Sequence, residues 1–384
     1  MSSTPARDTT TTDPRLVSLL NLSRFGEIAR HRLGDEPAVL VNRPSLVHEV
    51  LVTHAGRFEN DYHPYAALVG LYRPEGEYAL HLSTLARSRH AYAPVPATFA
   101  AGAAALPREG EHDLERRGKL LSLQLTLEML FGLDIGADAE RFVAAIDAEE
   151  FVMAGHARRE AGAGAVLEEI GGRVARAIGL RVGPERTGTD DDPVTIVIRT
   201  LLNSYNATGT AFAWAAAALS HRPELQDELR AEAHGIGEIT PAKLEHLTLH
   251  RRVVDEVLRL WPVAWAIGRR ARLDTHIGAH EVARGTRVIV SPFTLHRSAD
   301  HWDNPRDFRP QRFQHAPKPS TYLPFGAGVR RCPAGVQAPL HLVALLVGLL
   351  DGRRVVPGTR GIPVPTALIS LRPVGGVWLG LEGA

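Results

Sequence analysis

One loop constrains this chain more than any other feature. Residues 322–335 read Tyr-Leu-Pro-Phe-Gly-Ala-Gly-Val-Arg-Arg-Cys-Pro-Ala-Gly, an apolar helical stretch follows at once, and Cys332 is the chain's one cysteine. Gly326 and Gly328 permit backbone angles and close approaches that a side chain would block. Pro333 suits the first position of a helix. The helix dipole, with Arg330 and Arg331 beside it, predicts a thiol biased toward thiolate. Three fates are open to such a group. It is a buried structural cysteine, the usual fate of a lone one. It is a nucleophile, although the loop offers no histidine as base. Or it is the axial ligand of an iron porphyrin, facing a flat space cleared by the glycines.

One cysteine also excludes whole classes. No internal disulfide can form, and neither a Cys-rich zinc module nor an iron–sulfur cluster can be assembled. The 44 basic side chains balance 43 acidic ones, so there is no basic footprint for nucleic acid. The start of the chain lacks the apolar run of a secretory signal. The longest apolar stretch, 336–350, is broken by Gln337, Pro339 and His341. No membrane span is therefore expected, and a soluble, cytoplasmic protein is. Only Lys119, Lys243 and Lys318 are lysines, a bias typical of GC-rich bacterial genomes.

Apolar spacing of three and four predicts helices over 116–177, 201–219, 223–233, 244–260 and 336–350. Strand signals are short, at 38–42, 286–290 and 376–381. Residues 179–192 read as a loop. Helices outnumber strands and do not alternate with them, which predicts a mainly α protein with a small β region. A disordered tail over 1–14 and a single domain over 15–384 are expected.

The cysteine loop resembles the haem-binding loop of cytochromes P450, Phe-Gly-x-Gly-x-Arg/His-x-Cys-x-Gly/Ala. Phe325, Gly326, Gly328, Arg330, Cys332 and Ala334 fill it in register. The resemblance implies a P450 fold, mainly α with a small β subdomain, and a b-type haem (iron protoporphyrin IX). Cys332 then ligates the iron, Phe325 packs beside the sulfur, and Arg330 pairs with a propionate. Glu256-Val-Leu-Arg259 is similar to the family's Glu-x-x-Arg helix, where a spacing of three puts both charges on one face. Gly268-Arg269 and Phe308-Arg-Pro310-Gln-Arg312-Phe313 look like the segments that follow it. Glu256, Arg259 and Arg312 are thereby expected in a buried structural ion network, and Arg269 at the second propionate. His296 reads as a structural hydrogen-bonding histidine, with a propionate contact as the other reading. Arg87-Ser-Arg89-His90 resembles a degraded form of the family's C helix, making Arg89 a further propionate contact.

The departure lies in the long helix expected over the haem. With Ala213-Trp214 and Arg222-Pro-Glu224 as anchors, Asn203-Ser-Tyr-Asn206-Ala207-Thr208 falls on the family's Ala/Gly-Gly-x-Asp/Glu-Thr-Thr. Asn206 replaces the acid and Ala207 the first threonine. An amide does not titrate, so Asn206 can hold a water or a substrate oxygen but cannot pass on a net proton. At α-helical spacing Asn203, Asn206, Ala207 and Thr210 share a face, and Thr208 is turned away by about 100°. Two readings follow. The first is a monooxygenase of a small organic molecule, tailoring a specialised metabolite and served by a separate ferredoxin and ferredoxin reductase. The second is an isomerase, dehydratase or peroxygenase that does not activate dioxygen. A non-catalytic haem sensor is the remaining alternative.

Overall fold

The computed structural model describes residues 11–61, 95–153, 162–179, 194, 197–198, 201–315, 320–361 and 363–384. Arg89 and most of the 179–192 loop lie outside them. The chain divides into two compact units interleaved in sequence. One comprises Met1–His63, Asp255–Gly335 and Val364–Arg372; the other Pro64–Val254, Val336–Pro363 and Pro373–Ala384.

In chain order the longer helices are α1 (Pro14–Leu22), α2 (Val95–Ala104), α3 (Leu114–Phe131), α4 (Asp138–Met153), α5 (Ala163–Ala177), α6 (Ala207–Ser220), α7 (Pro223–Ala233), α8 (Thr248–Leu260) and α9 (Gln337–Leu350). The strands are β1 (Ile28–Leu33), β2 (Glu36–Val41), β3 (Phe58–Asn60), β4 (Gly110–Asp113), β5 (Ile267–Ala271), β6 (Thr275–Ile277), β7 (His280–Val282), β8 (Arg287–Val290), β9 (Arg353–Pro357), β10 (Pro365–Ala367), β11 (Leu371–Pro373) and β12 (Trp378–Gly383).

The first unit is built on a five-stranded sheet of order β1-β2-β8-β5-β3. Its strands pair antiparallel except for β2 with β8, which run parallel, Ala38 opposite Arg287 through Val41 opposite Val290. Val39, Val41, Val288, Val290 and Ala271 bury one apolar layer there. The expected strands at 38–42 and 286–290 are thus the central pair. β3 and β5 escape sequence reading because they are short and lack a run of β-branched residues. The end of the tail expected over 1–14 is ordered: Pro14 opens α1, and buried Asp13 caps it, accepting from Arg15 N at 2.8 Å.

The second unit is mainly helical. The single helical stretch expected over 116–177 is three helices. Gly132 ends α3 in the left-handed conformation (φ 64°), while Asp113 caps its start, accepting from Glu115 N at 3.0 Å and Arg116 N at 3.3 Å. Their apolar faces join in one core with Leu123, Leu127, Phe142, Ile146, Ile170, Val174, Leu201 and Tyr205. Helix α6 is buried along most of its length. It can lie close on α3 because small residues meet there. A Cβ on Gly209 would come within 2.7 Å of the Lys119 backbone, and one on Gly118 within 2.7 Å of the Phe212 ring. The expected strand at 376–381 is found as β12, hydrogen-bonded to β4 and β9. Among the described residues, no helix is long and apolar enough to cross a membrane.

Candidate functional site

The cysteine loop and its supports lie in the first unit. Gly326 (φ 68°) and Gly328 (φ 72°) both take left-handed backbone, which other residues adopt only with strain. Their surroundings differ. A Cβ on Gly328 would sit 2.0 Å from the Leu51 carbonyl oxygen, whereas one on Gly326 would meet nothing nearer than Ile267 Cδ1 at 3.6 Å. The glycine at 328 is thus required where the loop docks on the 49–53 segment. At Gly328 this is the close approach that a side chain would block.

The turn is closed by Cys332 N–H donating to the Phe325 carbonyl at 2.9 Å and Gly335 N–H to the Cys332 carbonyl at 3.2 Å. The base of the Phe325 side chain lies against Gly335, 3.3 Å from where a Cβ would stand. Cys332 keeps an accessible surface, yet the protein around it desolvates the thiol. Burial therefore raises its pKa, while the Ala334 N–H and the charge of Arg331 pull the other way and do not prevail. The expected bias toward thiolate is corrected in this respect: the surrounding protein favours the thiol. A bound metal cation overrides that preference, since it deprotonates a coordinating thiol outright.

Arg330 sends its guanidinium back to the protein, donating from Nη1 to the Ala55 carbonyl and from Nη2 to the Phe58 carbonyl, each at 3.0 Å. It thereby pins the loop to the entry of β3. Five N–H groups are available on a guanidinium, so this does not exhaust it. Arg269 is buried on β5, with Nη1 donating to the Gly268 carbonyl at 2.8 Å. Ile267 lies two residues earlier, on the same face of the strand, and reaches the loop at Gly326. The sheet therefore presents Arg269 on the side where the cysteine loop packs.

Beneath the loop, Glu256 and Arg259 on α8 are fully buried and joined twice, Nε to Oε2 at 2.7 Å and Nη2 to Oε1 at 2.8 Å. Arg312 Nε (3.0 Å) and the Arg309 N–H (2.7 Å) also donate to Glu256 Oε1. Arg259 further donates to the carbonyls of His296 (2.8 Å), Pro305 (2.7 Å) and Asp307 (3.1 Å). The structure brings the three charges together and spends them on folding the 296–312 segment. His296 has both ring nitrogens engaged by the backbone, Nδ1 with the Arg259 carbonyl and Nε2 with the Leu323 N–H, each at 2.9 Å. Burial holds its pKa down at about 3. It is a neutral strut between α8 and the cysteine loop, with no nitrogen left for a propionate.

The second cluster belongs to the other unit. Helix α6 is preceded by a turn of π-helix over Leu202–Asn206, a wide turn that recurs at functional sites. The α-helical spacing that aligned Asn203 with Asn206, Ala207 and Thr210 does not hold through it. Asn206 closes the turn and is buried, as is Thr210; Ala207 and Thr208 are half-buried. Asn206 Nδ2 donates to Glu150 Oε1 at 2.8 Å, and Thr210 Oγ1 lies 3.5 Å from Asn206 Oδ1, the Thr210 hydroxyl donating. Glu150, on α4, is fully buried, and sequence reading passed over it. A signal was available: Phe142, Val143 and Ile146 form an apolar stripe whose next position is 150, so an acid there points into the core.

Among the described residues no cluster of three or more His, Cys, Asp or Glu side chains is gathered to hold a metal ion. An accessible sulfur at a turn closed by backbone hydrogen bonds, with a buried arginine on the adjoining sheet, fits a porphyrin iron.

Comparison with known proteins gives the same class. The family model Cytochrome P450 matches residues 181–357. The chain is 27% identical to abscisic acid 8'-hydroxylase 2 of Oryza sativa subsp. indica over 391 residues, 89% of this chain and 77% of that protein. It is 36% identical to putative cytochrome P450 137 of Mycobacterium tuberculosis over 162 residues, 42% of this chain and 31% of the relative. In fold it is similar to the crystal structure of CYP175A1 from Thermus thermophillus, with a TM-score of 0.75, 24% identity, and coverage of 96% and 95% of the two chains. The fold is that of a cytochrome P450 structure, and the family model spans the cysteine loop. The chain is similar to cytochromes P450 over the matched segment, in its relatives and in fold, which supports an oxidoreductase of monooxygenase type that carries haem.

Proposed function

We propose that this P450 is a cytoplasmic monooxygenase that hydroxylates or otherwise oxidises a small organic molecule in a specialised metabolic pathway. The bacterial, GC-rich composition supports that setting. Its haem domain takes in residues 15–384; Cys332 would ligate the iron, and Arg269, Arg330 and Arg89 would pair with the propionates. A separate ferredoxin and its reductase supply electrons. When bound, haem with a thiolate ligand supplies the redox centre that activates oxygen. The observation that carries the reading is the sulfur of Cys332: accessible, and fixed by the Phe325–Gly335 turn.

Asn203, Asn206, Ala207 and Thr208 serve as the distal residues, holding substrate or water by uncharged contacts. A rearranging enzyme, an isomerase, dehydratase or peroxygenase, is the second reading. It is favoured by one observation: the motif's acid and hydroxyl are replaced by an amide committed to Glu150 and by a methyl group.

The test begins with the reduced, carbon monoxide-bound spectrum of the haem-loaded protein. The red-shifted Soret band of a thiolate ligand is expected, and Cys332→Ser is expected to abolish it. A wild-type carbonyl spectrum lacking that band refutes the ligand assignment. Substrate turnover is then measured with and without reduced donor and oxygen. Product that requires both identifies the monooxygenase; product formed without either identifies the rearranging enzyme.

A further inference from the structure

We propose that Glu150 is a positioning residue for the distal helix: from α4 it holds the π-turn and the amide of Asn206 in one orientation. This rests on the reading of 203–208 as the distal segment. Glu150 has no exposed surface, and Asn206 is 3% exposed. Buried carboxylates are not retained without partners, and here a 2.8 Å bond from Asn206 Nδ2 supplies one. In that bond the amide of Asn206 turns its N–H group to Glu150 and leaves its oxygen for the Thr210 hydroxyl on the next turn of α6. Asn206 is the last residue of the π-turn, so the same bond ties the wide turn to a neighbouring helix.

The arrangement bears directly on what position 206 can be. The family's acid at this position is an amide here, and a carboxylate stands across from it on another helix. Restoring aspartate at 206 would set two carboxyl groups at hydrogen-bond distance, where both cannot ionise. An acid is therefore accommodated at 206 only when position 150 gives up its own.

The experiment uses the haem-loaded enzyme and the variants Glu150→Gln, Glu150→Leu, Asn206→Asp and the exchange E150Q/N206D. Two quantities are read: amide hydrogen exchange across 202–210, and imidazole binding followed by the Soret shift. Glu150→Gln keeps an acceptor and is expected to match wild type in both. Glu150→Leu and Asn206→Asp are each expected to speed exchange in that segment and weaken imidazole about tenfold, the effect of one buried polar group losing its partner. E150Q/N206D is expected to recover both to within about threefold of wild type, on the same accounting.

The proposal is overturned if Glu150→Leu matches wild type, if Glu150→Gln behaves like Glu150→Leu, or if the exchange variant is no better than Asn206→Asp. Faster hydrogen exchange with unchanged imidazole binding also overturns it, because Glu150 would then be structural only. Should Glu150→Leu not fold, Asn206→Asp against E150Q/N206D decides the matter alone. None of these readouts depends on which reaction is catalysed, so a failure of the monooxygenase reading is separable from a failure of this one.

Discussion

Arg259→Ala should be the most damaging single change in the α8 network, and the structure says why. The guanidinium makes two bonds to Glu256 and three to backbone carbonyls, all within 3.1 Å, with no exposed surface. Removing it leaves Glu256 buried with one guanidinium bond and one backbone N–H. Breaking a buried pair on one side costs about 3–5 kcal/mol. The Asp307 carbonyl still has Arg312, but those of His296 and Pro305 lose a donor, at roughly 1–3 kcal/mol each. These costs are not additive within one network, so about 5 kcal/mol is a fair floor, comparable with the whole stability of many domains. Arg312→Ala removes a single 3.0 Å bond to Glu256 from a side chain 10% exposed, and its other acceptors lie where water can replace it. About 1–3 kcal/mol is expected there. Arg259→Lys should not rescue, because an ammonium cannot reproduce the planar fork.

The assay is haem content after purification together with the urea midpoint of unfolding. Arg259→Ala is expected to be largely haem-free or unfolded, and Arg312→Ala folded with a lowered midpoint. If Arg259→Ala retains haem and lies within about 1 kcal/mol of wild type, the network does not carry the fold. If Arg312→Ala costs as much, the division of labour between the two arginines is wrong.

The loop glycines should separate in the same measurements. Gly328→Ala places a methyl 2.0 Å from a backbone oxygen that cannot swing away, so displacement of the loop and loss of the thiolate carbonyl band are expected. Gly326→Ala meets only left-handed strain of about 1–2 kcal/mol and should keep the band with a lower melting temperature. The reverse order would refute the packing argument. In acid, two groups should act in sequence. His296 falls from 6.5 to about 3 on burial, so the unfolded chain binds the proton first and stability declines as pH drops from about 6.5 toward 3. Glu232, desolvated but held by His250 and by the Leu249 and His250 N–H groups that it caps on α8, falls from 4.5 to about 2. Its contribution is complete above pH 4.5 and is lost between 4.5 and about 2. Urea midpoints against pH should show both declines, with Glu232→Gln flattening only the lower one; a wild-type profile in that variant would exclude the cap as the cause.

What could be read from the sequence follows a physical line. The cysteine loop was legible because its constraints are local: φ angles and a turn hydrogen bond are properties of adjacent residues, although Pro333 opens only a 3-10 turn over Pro333–Gly335 and α9 begins at Gln337. Helices α6 to α9 were legible because their apolar spacing is long and regular. Glu256 with Arg259 was legible as a pair on one face, but its meeting with Arg312 came through family resemblance, since a separation of 56 residues has no local signature. Arg330 shows the limit of such carry-over. The residue stands in register, yet its observed bonds to Ala55 and Phe58 depend on a segment 275 and 272 residues away in the chain.

The segment 203–210 was misjudged for a different reason. Treating 203–210 as ideal α-helix put four residues on one face, and treating position 206 as an isolated substitution made it look like the loss of an acid. Both assumptions take the helix by itself. In the folded chain its first turn is widened, and the residue that ends that turn is bonded to an acid from α4. Whether a site holds a titratable group is a property of the contacts around it, not of one column in a motif. On the proposed alignment, the substitution at 206 cannot be weighed without Glu150, and Ala207 stands where the family has a hydroxyl. If oxygen activation is native, the hydroxyl has to come from Thr210, from substrate or from water. Ala207→Thr separates these: it should improve coupling of donor oxidation to product where the hydroxyl was borrowed from water, and obstruct turnover where substrate supplies it. Unchanged coupling and turnover would show that position 207 takes no part.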